Sequence, residues 1–515
     1  MDGHCLAEPA SDGRQGTRGE SRPSSLAPHP RALVVSSICT AHEMGARIGR
    51  EAYSYRFVFD AFAPLLGRWG RTIEVTQAES RLDYALWRAR QQHLEPVHLS
   101  FLPLHLTYLT RRAPNVAFPF WEFPDIPNRT FDNNPRNNWV HVADHLDLIV
   151  TASRFTRDAF VRAGVRTPIK VVPVPIAAEY FSTPAWQPGQ RTVIESPCYV
   201  FPQPEKPAAP PSNPWAPLDM RGLSLRARAR FVYKSYIAPR MPARLDKYLT
   251  VAARTLSAVR RARADDVRVP YPVCERLDLS GVVYTTILNP FDPRKNWQDL
   301  LSAFLLGLAG CDDATLVVKL AVPPRLAATA LNGMIAHYQD LGLSHRCRLV
   351  FVTSYLSEPQ MVELAQASTY YVNAARAEGS CLPLQHFLAA GRPGIAPGHT
   401  ALADYFNADL GFVVASDWEP AVWPHDPEKR ISTRWHRLVW QSLHDGFQAS
   451  YQVAKDNRAR YQRLAEQGKE RMAEFAGEER VWPRLAAALN AVADNWNWEA
   501  NTARGQARLP WRQAS

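Results

Sequence analysis

The chain has 515 residues, a net charge of +11 and 46% hydrophobic residues, an ordinary globular composition with room for two to four domains of ~100–200 residues each. It holds no run of about 18 apolar residues, which excludes a membrane-spanning helix. Its seven cysteines are scattered without a CxxC pair, which excludes a zinc ribbon or disulfide framework and points to reduced thiols in the cytoplasm.

Residues 1–30 are polar, lack the apolar core of a signal peptide and read as a disordered tail. A first unit follows over 31–183. ALVVSSI at 32–38 is a buried strand, and Gly45 and Gly49 lie in the loop HEMGARIG. Residues 51–66 are helical by period, and short strands are expected at 72–76 and 97–101. NVAFPFWEF at 115–123 is an apolar run ending in Trp121 and Glu122. DLIVTAS leads into a helix with Ser153 as N-cap and Gly164 as stop. Alternating strands and helices argue for a parallel sheet covered on both faces.

Residues 184–278 break that rhythm. Ten prolines over 184–217 read as a linker that holds no regular element. Residues 221–268 carry thirteen Lys or Arg against three Asp, a net +10, so the rest of the chain is near neutral and no chain-wide nucleic-acid role follows. Within them, 244–263 reads as an amphipathic helix with Lys247, Arg254 and Arg261 on one face. It is a surface helix, or a basic face suited to anionic lipid.

A second α/β unit spans 279–430. GVVYTTI is a strand, NPFDPRKN a loop, and NWQDLLSAFLLGL a helix. A strand at 314–320 and a strand, loop and helix over 348–367 precede the stretch 369–391, which reads as strand, loop and helix in turn. Strands at 393–397 and 410–414 close the unit, and helices are expected over 431–446, 448–475 and 479–495, within a C-terminal segment 431–515.

Two constellations carry chemistry. In 369–391 the loop bears Glu378 and Gly379, and Pro383 opens a helix. A helix N-terminus suits a phosphate, the glycine admits close approach, and the carboxylate accepts hydrogen bonds from a polyol. In the second, Arg294 and Lys295 sit at the C-terminal end of a strand and the start of a helix. Doubly wound sheets place ligands there, and a bound anion resolves the poor placement of cations at a helix N-terminus.

EGSCLPLQH, RKN and the GHT turn at 398–400 resemble the donor-site motifs of retaining glycosyltransferases of family 4, over about 280–407. FWEFPDIP and TASRFTRDAFVRAG also look like segments of that family. The resemblance implies a GT-B fold: two Rossmann-like domains facing across a cleft, the first for acceptor and the second for donor, with the last helices crossing back to the first. It implies catalytic roles for Glu378, Lys295 and Arg294. It places Gly379, Ser380, Cys381, Leu382, Pro383, His386, Asn289 and Tyr355 around the donor, and Glu122 and Gly45 on the acceptor or sugar side. His386 stands where the family has a second Glu that binds the ribose, and it offers one neutral acceptor nitrogen in place of two anionic oxygens.

The function so implied is transfer of a sugar from a nucleotide-sugar to a glycan or lipid-linked acceptor, in polysaccharide biosynthesis, with retention and without metal or other cofactor. The expected location is cytoplasmic, peripheral at the inner membrane face through 221–268. The alternative is a non-catalytic GT-B protein that binds nucleotide or glycan as a scaffold. A nucleotide-sugar epimerase on the same fold is a third reading.

Overall fold

The computed structural model describes residues 30–49, 52–202, 269–423 and 432–496. Residues 1–29, the basic segment 221–268 and its amphipathic stretch lie outside the described residues.

The first domain runs β1 (Arg31–Ser36), α1 (Met44–Arg47), α2 (Ser54–Trp69), β2 (Arg71–Val75), α3 (Ala78–Gln91), β3 (Glu95–Ser100), β4 (Asn115–Ala117), α4 (Trp139–Ala143), β5 (Leu148–Thr151), α5 (Arg154–Arg162), β6 (Ile169–Val171) and α6 (Ala178–Phe181). Its strands form one parallel sheet in the order β2-β1-β3-β4-β5-β6. The period of two in β1 sorts its side chains: Leu33 and Val35 share a core with Phe59 and Phe62 of α2, while Val34 packs with Leu82 and Leu86 of α3. Ser153 caps α5 as its position predicts, accepting from the Thr156 N–H at 3.1 Å.

The second domain comprises β7 (Arg191–Ile194), β8 (Cys198–Phe201), β9 (Leu277–Ser280), β10 (Val282–Leu288), α7 (Trp297–Gly307), β11 (Ala314–Leu320), α8 (Pro324–Asp340), β12 (Arg348–Val352), α9 (Glu358–Ala367), β13 (Tyr370–Val372), α10 (Leu382–Ala389), β14 (Gly394–Pro397) and β15 (Gly411–Val414). A hairpin follows, β16 (Ser416–Val422) and β17 (Ser432–Leu438), then α11 (Trp440–Asp456), α12 (Arg458–Ala476) and α13 (Glu478–Asn495). The sheet order is β15-β14-β13-β10-β11-β12-β8, parallel throughout except for β8. The order reverses between β10 and β13, so the loops after those two strands flank the crevice where such sheets hold ligands.

Three expectations are corrected. The stretch 184–202, read as linker, holds β7 and β8; β8 adds an antiparallel edge to the sheet and β7 pairs with β9. Pro184, Pro188, Pro197 and Pro202 flank RTVI and CYVF instead of interrupting them, and those tetrads are β-prone. The helix expected over 431–446 begins only at Trp440, because 432–438 pairs residue by residue with β16. Long-range pairing here overrides a local pattern. The helix expected over 448–475 is also divided at Asn457, whose side chain accepts from the Arg460 N–H at 3.0 Å and caps α12.

The final helix returns to the first domain. Val481, Leu485 and Leu489 of α13 lie in the same core as Leu33, Phe59 and Phe62. Arg31 pairs with Asp494 at 2.6 Å and Arg68 with Glu478 at 2.7 Å.

Candidate active site

The two sheets present their carboxyl ends to each other, and four contacts join the loops found there. Glu122, after β4, pairs with Arg294, after β10, at 3.1 Å. Asn289 donates from Nδ2 to the Gly49 carbonyl at 3.3 Å. Arg154 bonds Asp404 through both its backbone N–H (2.6 Å) and Nε (3.1 Å). Gly49 lies with φ +73, and a Cβ there would sit 2.4 Å from the Ala321 carbonyl oxygen, so only glycine permits this approach. Gly45 shows no such constraint, since a Cβ there meets nothing within 4 Å.

Glu378 lies at the centre of the crevice, 5% exposed. Its Oε1 accepts from Lys295 Nζ at 2.7 Å and from Asn373 Nδ2 at 3.1 Å. Its backbone N–H donates to Thr400 Oγ1 at 3.1 Å. Arg294 is enclosed by Asp292 (2.7 Å), Glu122 and the Ala377 carbonyl (3.1 Å). Burial works to lower the pKa of both cations. For Arg294 the attraction of Asp292, Glu122 and Glu378 outweighs it. For Lys295 that of Glu378, with Asp292 behind it, does the same against the repulsion of Arg294. Both cations are therefore held charged in a site largely closed to water, where a charge acts more strongly than at the surface.

Three of the seven non-glycine residues with positive φ among the described residues lie at the same place. Asn296 (φ +48), Cys381 (φ +57) and Thr400 (φ +50) all adopt the left-handed region without being glycine. Each carries a working contact. Asn296 Oδ1 accepts from Arg376, Cys381 Sγ from Asn373, and Thr400 Oγ1 from Glu378. Strain of ~1–3 kcal/mol per residue persists only where the surroundings over-determine it, as at ligand sites. Five buried polar atoms in this shell have no hydrogen-bond partner: Arg294 Nε, Asn296 Nδ2, Arg376 Nε, Gln385 Oε1 and His399 Nε2. Unmade bonds on buried donors and acceptors are costly, and their gathering in the loops of one crevice is what a polar ligand would relieve.

The other residues singled out in the sequence fall as follows. Gly379 faces the Trp121 backbone, 3.4 Å from where a Cβ would be. Ser380 and Gln385 bond each other at the start of α10, with Cys381 as N-cap and Pro383 in the first turn. Leu382 packs on the core of the first domain. Tyr355 is 43% exposed in the loop after β12. His386 lies on the α6 side of α10, its ring stacked on that of Tyr180 at 4.3 Å, and no described residue hydrogen-bonds its imidazole.

Sequence reasoning missed Asp292, Asn373, Arg376 and the hairpin, and it named Asn296 and Thr400 only as parts of RKN and GHT. Asp292 was legible as an Asx cap before a proline, and it does accept from the Arg294 N–H at 3.0 Å. The hairpin crosses the site: Trp423 lies 5.4 Å from Trp121 of the first domain, and Trp435 Nε1 donates to Glu419 at 2.6 Å. At its root His436 stacks on His399, 4.0 Å between centroids.

Burial drives these imidazoles down, His399 to about 3 and His386 and His436 to about 4, and it does the same to His98 in β3. Each binds a proton more readily unfolded, near pH 6.5, than folded. Stability is therefore full above pH 6.5 and is lost as pH falls toward 4, by about 3 kcal/mol for fully buried His98 alone. Thermal melts should show Tm falling from pH 7 to pH 5, with the fall smaller in His98→Gln; a flat profile would refute this.

Among the described residues no group of three or more His, Cys, Asp or Glu is placed to hold a metal ion, and no helix is long and apolar enough to cross a membrane.

No protein-family description matches the sequence, and no curated protein matches it. Several solved structures match the fold. Anabaena HepE, in complex with UDP and glucose, is 12% identical over 90% of this chain and 100% of its own, with a TM-score of 0.46. Sucrose-phosphate synthase from Thermosynechococcus elongatus gives 12%, 90%, 100% and 0.49. A glycosyltransferase from Rickettsia africae gives 9%, 91%, 100% and 0.48. The chain's own two parallel-sheet domains, apposed at their carboxyl ends and tied by a returning C-terminal helix, make the GT-B architecture.

Proposed function

We propose that this chain is a retaining glycosyltransferase that moves a sugar from a nucleotide-sugar to a glycan or lipid-linked acceptor, in cell-surface polysaccharide assembly. The observation that carries the reading is the largely buried Lys295–Glu378 pair at 2.7 Å, placed where the two sheets meet, in loops that carry unfilled polar atoms. Lys295 and the unfilled N–H groups of Arg294, Asn296 and Arg376 stabilise the charge that develops on a departing diphosphate, and Glu378 accepts hydrogen bonds from hydroxyls of the transferred sugar. The leaving diphosphate takes the proton of the incoming acceptor hydroxyl. In this reading the cation work belongs to Lys295 and Arg294, with no cofactor.

A panel of nucleotide-sugars tested by thermal shift checks the donor side. The matching donor at 100 times its Kd should stabilise the fold by about 2.7 kcal/mol. Binding without transfer to any glycan or lipid-linked acceptor would favour the scaffold alternative, and no binding at all would overturn the reading.

The cytoplasmic membrane face is the proposed location. Segment 221–268, outside the described residues, carries a net +10. Six effective cations at ~1 kcal/mol each give roughly 6 kcal/mol of attraction to anionic lipid, a weak and reversible attachment. Co-sedimentation with anionic vesicles should be lost at 1 M salt, where the Debye length is ~3 Å, and lost on deleting the segment. Equal binding to neutral vesicles would count against it.

A further inference from the structure

We propose that Arg376 is a positioning residue, clamped by the β16–β17 hairpin, that holds the 292–296 loop and the Glu378 loop in register; its kinetic arm rests on the transferase reading above. Three bonds tie Arg376 to the first loop and to the hairpin through atoms on opposite sides of the residue. Its backbone N–H donates to the Arg294 carbonyl at 2.7 Å, and its Nη2 donates to Asn296 Oδ1 at 3.2 Å. Its own carbonyl accepts from the His436 N–H of β17 at 2.8 Å. The guanidinium lies 5.0 Å over the Trp435 ring and pairs with Glu419 at 3.4 Å. Glu419 in turn is fixed by Trp435 Nε1 at 2.6 Å. Arg376 therefore joins the cation-bearing loop, the carboxylate-bearing loop two residues before Glu378, and a strap that reaches the first domain at Trp121.

A clamp serving the fold alone would leave its donors satisfied. Here Arg376 Nε and Asn296 Nδ2, on two residues already bonded to each other, are both buried without partners. The cluster is strained at Asn296, with φ +48, and under-bonded on residues next to Lys295 and two before Glu378, which fits a device set for a ligand-bound geometry. Arginine is required because one planar group must serve Asn296, Glu419 and a ring face together, which a lysine ammonium does not do.

Glu419→Gln, Trp435→Phe and Arg376→Lys separate positioning from folding, since the first two keep the shape of the hairpin. In the full chain without ligand, amide exchange over 293–297 and 374–379 should quicken about tenfold in each variant, with other segments unchanged. In transfer assays kcat should fall by a factor of about 10 to 100 while donor KM stays within about threefold. Unchanged exchange in those two segments overturns the inference whatever the activity. So does a kcat within twofold of wild type. If the wild type transfers nothing, the transferase reading fails separately, and the exchange arm still decides the role of Arg376.

Discussion

Glu378→Ala is expected to lower turnover at least 100-fold, about 3 kcal/mol in the barrier, the scale associated with losing one preorganised group. The carboxylate is almost wholly enclosed, and Lys295 and Asn373 both bond its Oε1. Oε2 takes no hydrogen bond from any described residue, so it is the oxygen a sugar hydroxyl would meet. Removing the side chain also strips Lys295 of its counter-ion. Breaking a buried pair from one side costs up to about 3–5 kcal/mol, reduced here because the lysine side chain keeps 21% exposure. Glu378→Gln discriminates, since it keeps the size and an acceptor for Asn373 and Lys295 while losing the charge. If catalysis depends on the carboxylate, the glutamine variant loses less stability than the alanine variant and still loses most of its turnover. Near-wild-type transfer by a folded Glu378→Ala protein would end the catalytic assignment.

Lys295→Ala is expected to weaken a nucleoside diphosphate far more than the bare nucleoside, by at least a factor of ten in the ratio of Kd values, or ~1.4 kcal/mol. The structure divides the labour between the two adjacent cations. Arg294 is already committed to Asp292, Glu122 and the Ala377 carbonyl, with only Nε unfilled. Lys295 has one carboxylate bond among its three donors, on a flexible stem, so it can turn toward a phosphate without dismantling the loop. Isothermal titration with both ligands checks this. Equal losses for nucleoside and diphosphate would mean that Lys295 supports the loop and does not bind the anion.

Both α/β units were legible because buried parallel strands leave continuous apolar runs, as ALVVS and ATLVVKL do. Glu378, Arg294 and Lys295 were legible as charges placed at strand ends and helix starts, and the structure brings all three together with Glu122. The hairpin was not, because STRWHRL gains its strand identity from a partner strand earlier in the chain, and a window on one segment does not contain that partner. Arg376 was passed over for the same reason: its partners Asn296, Glu419 and Trp435 are spread over about 140 residues. His386 drew attention by its place in a motif, but its surroundings are decided by Tyr180 of α6, some 200 residues upstream.

The return of α13 has a consequence for the order of events on the ribosome. The core around Leu33, Phe59 and Phe62 is lined by Val481, Leu485 and Leu489, each fully buried and worth ~1.5–3 kcal/mol on burial. The upstream unit thus lacks one wall until α13 has emerged. The second domain, whose elements run from β7 to α12, can close its core earlier. Maturation then runs against the direction of synthesis: the downstream half sets first, and the upstream half waits, with an open apolar face, for the last helix to lock it.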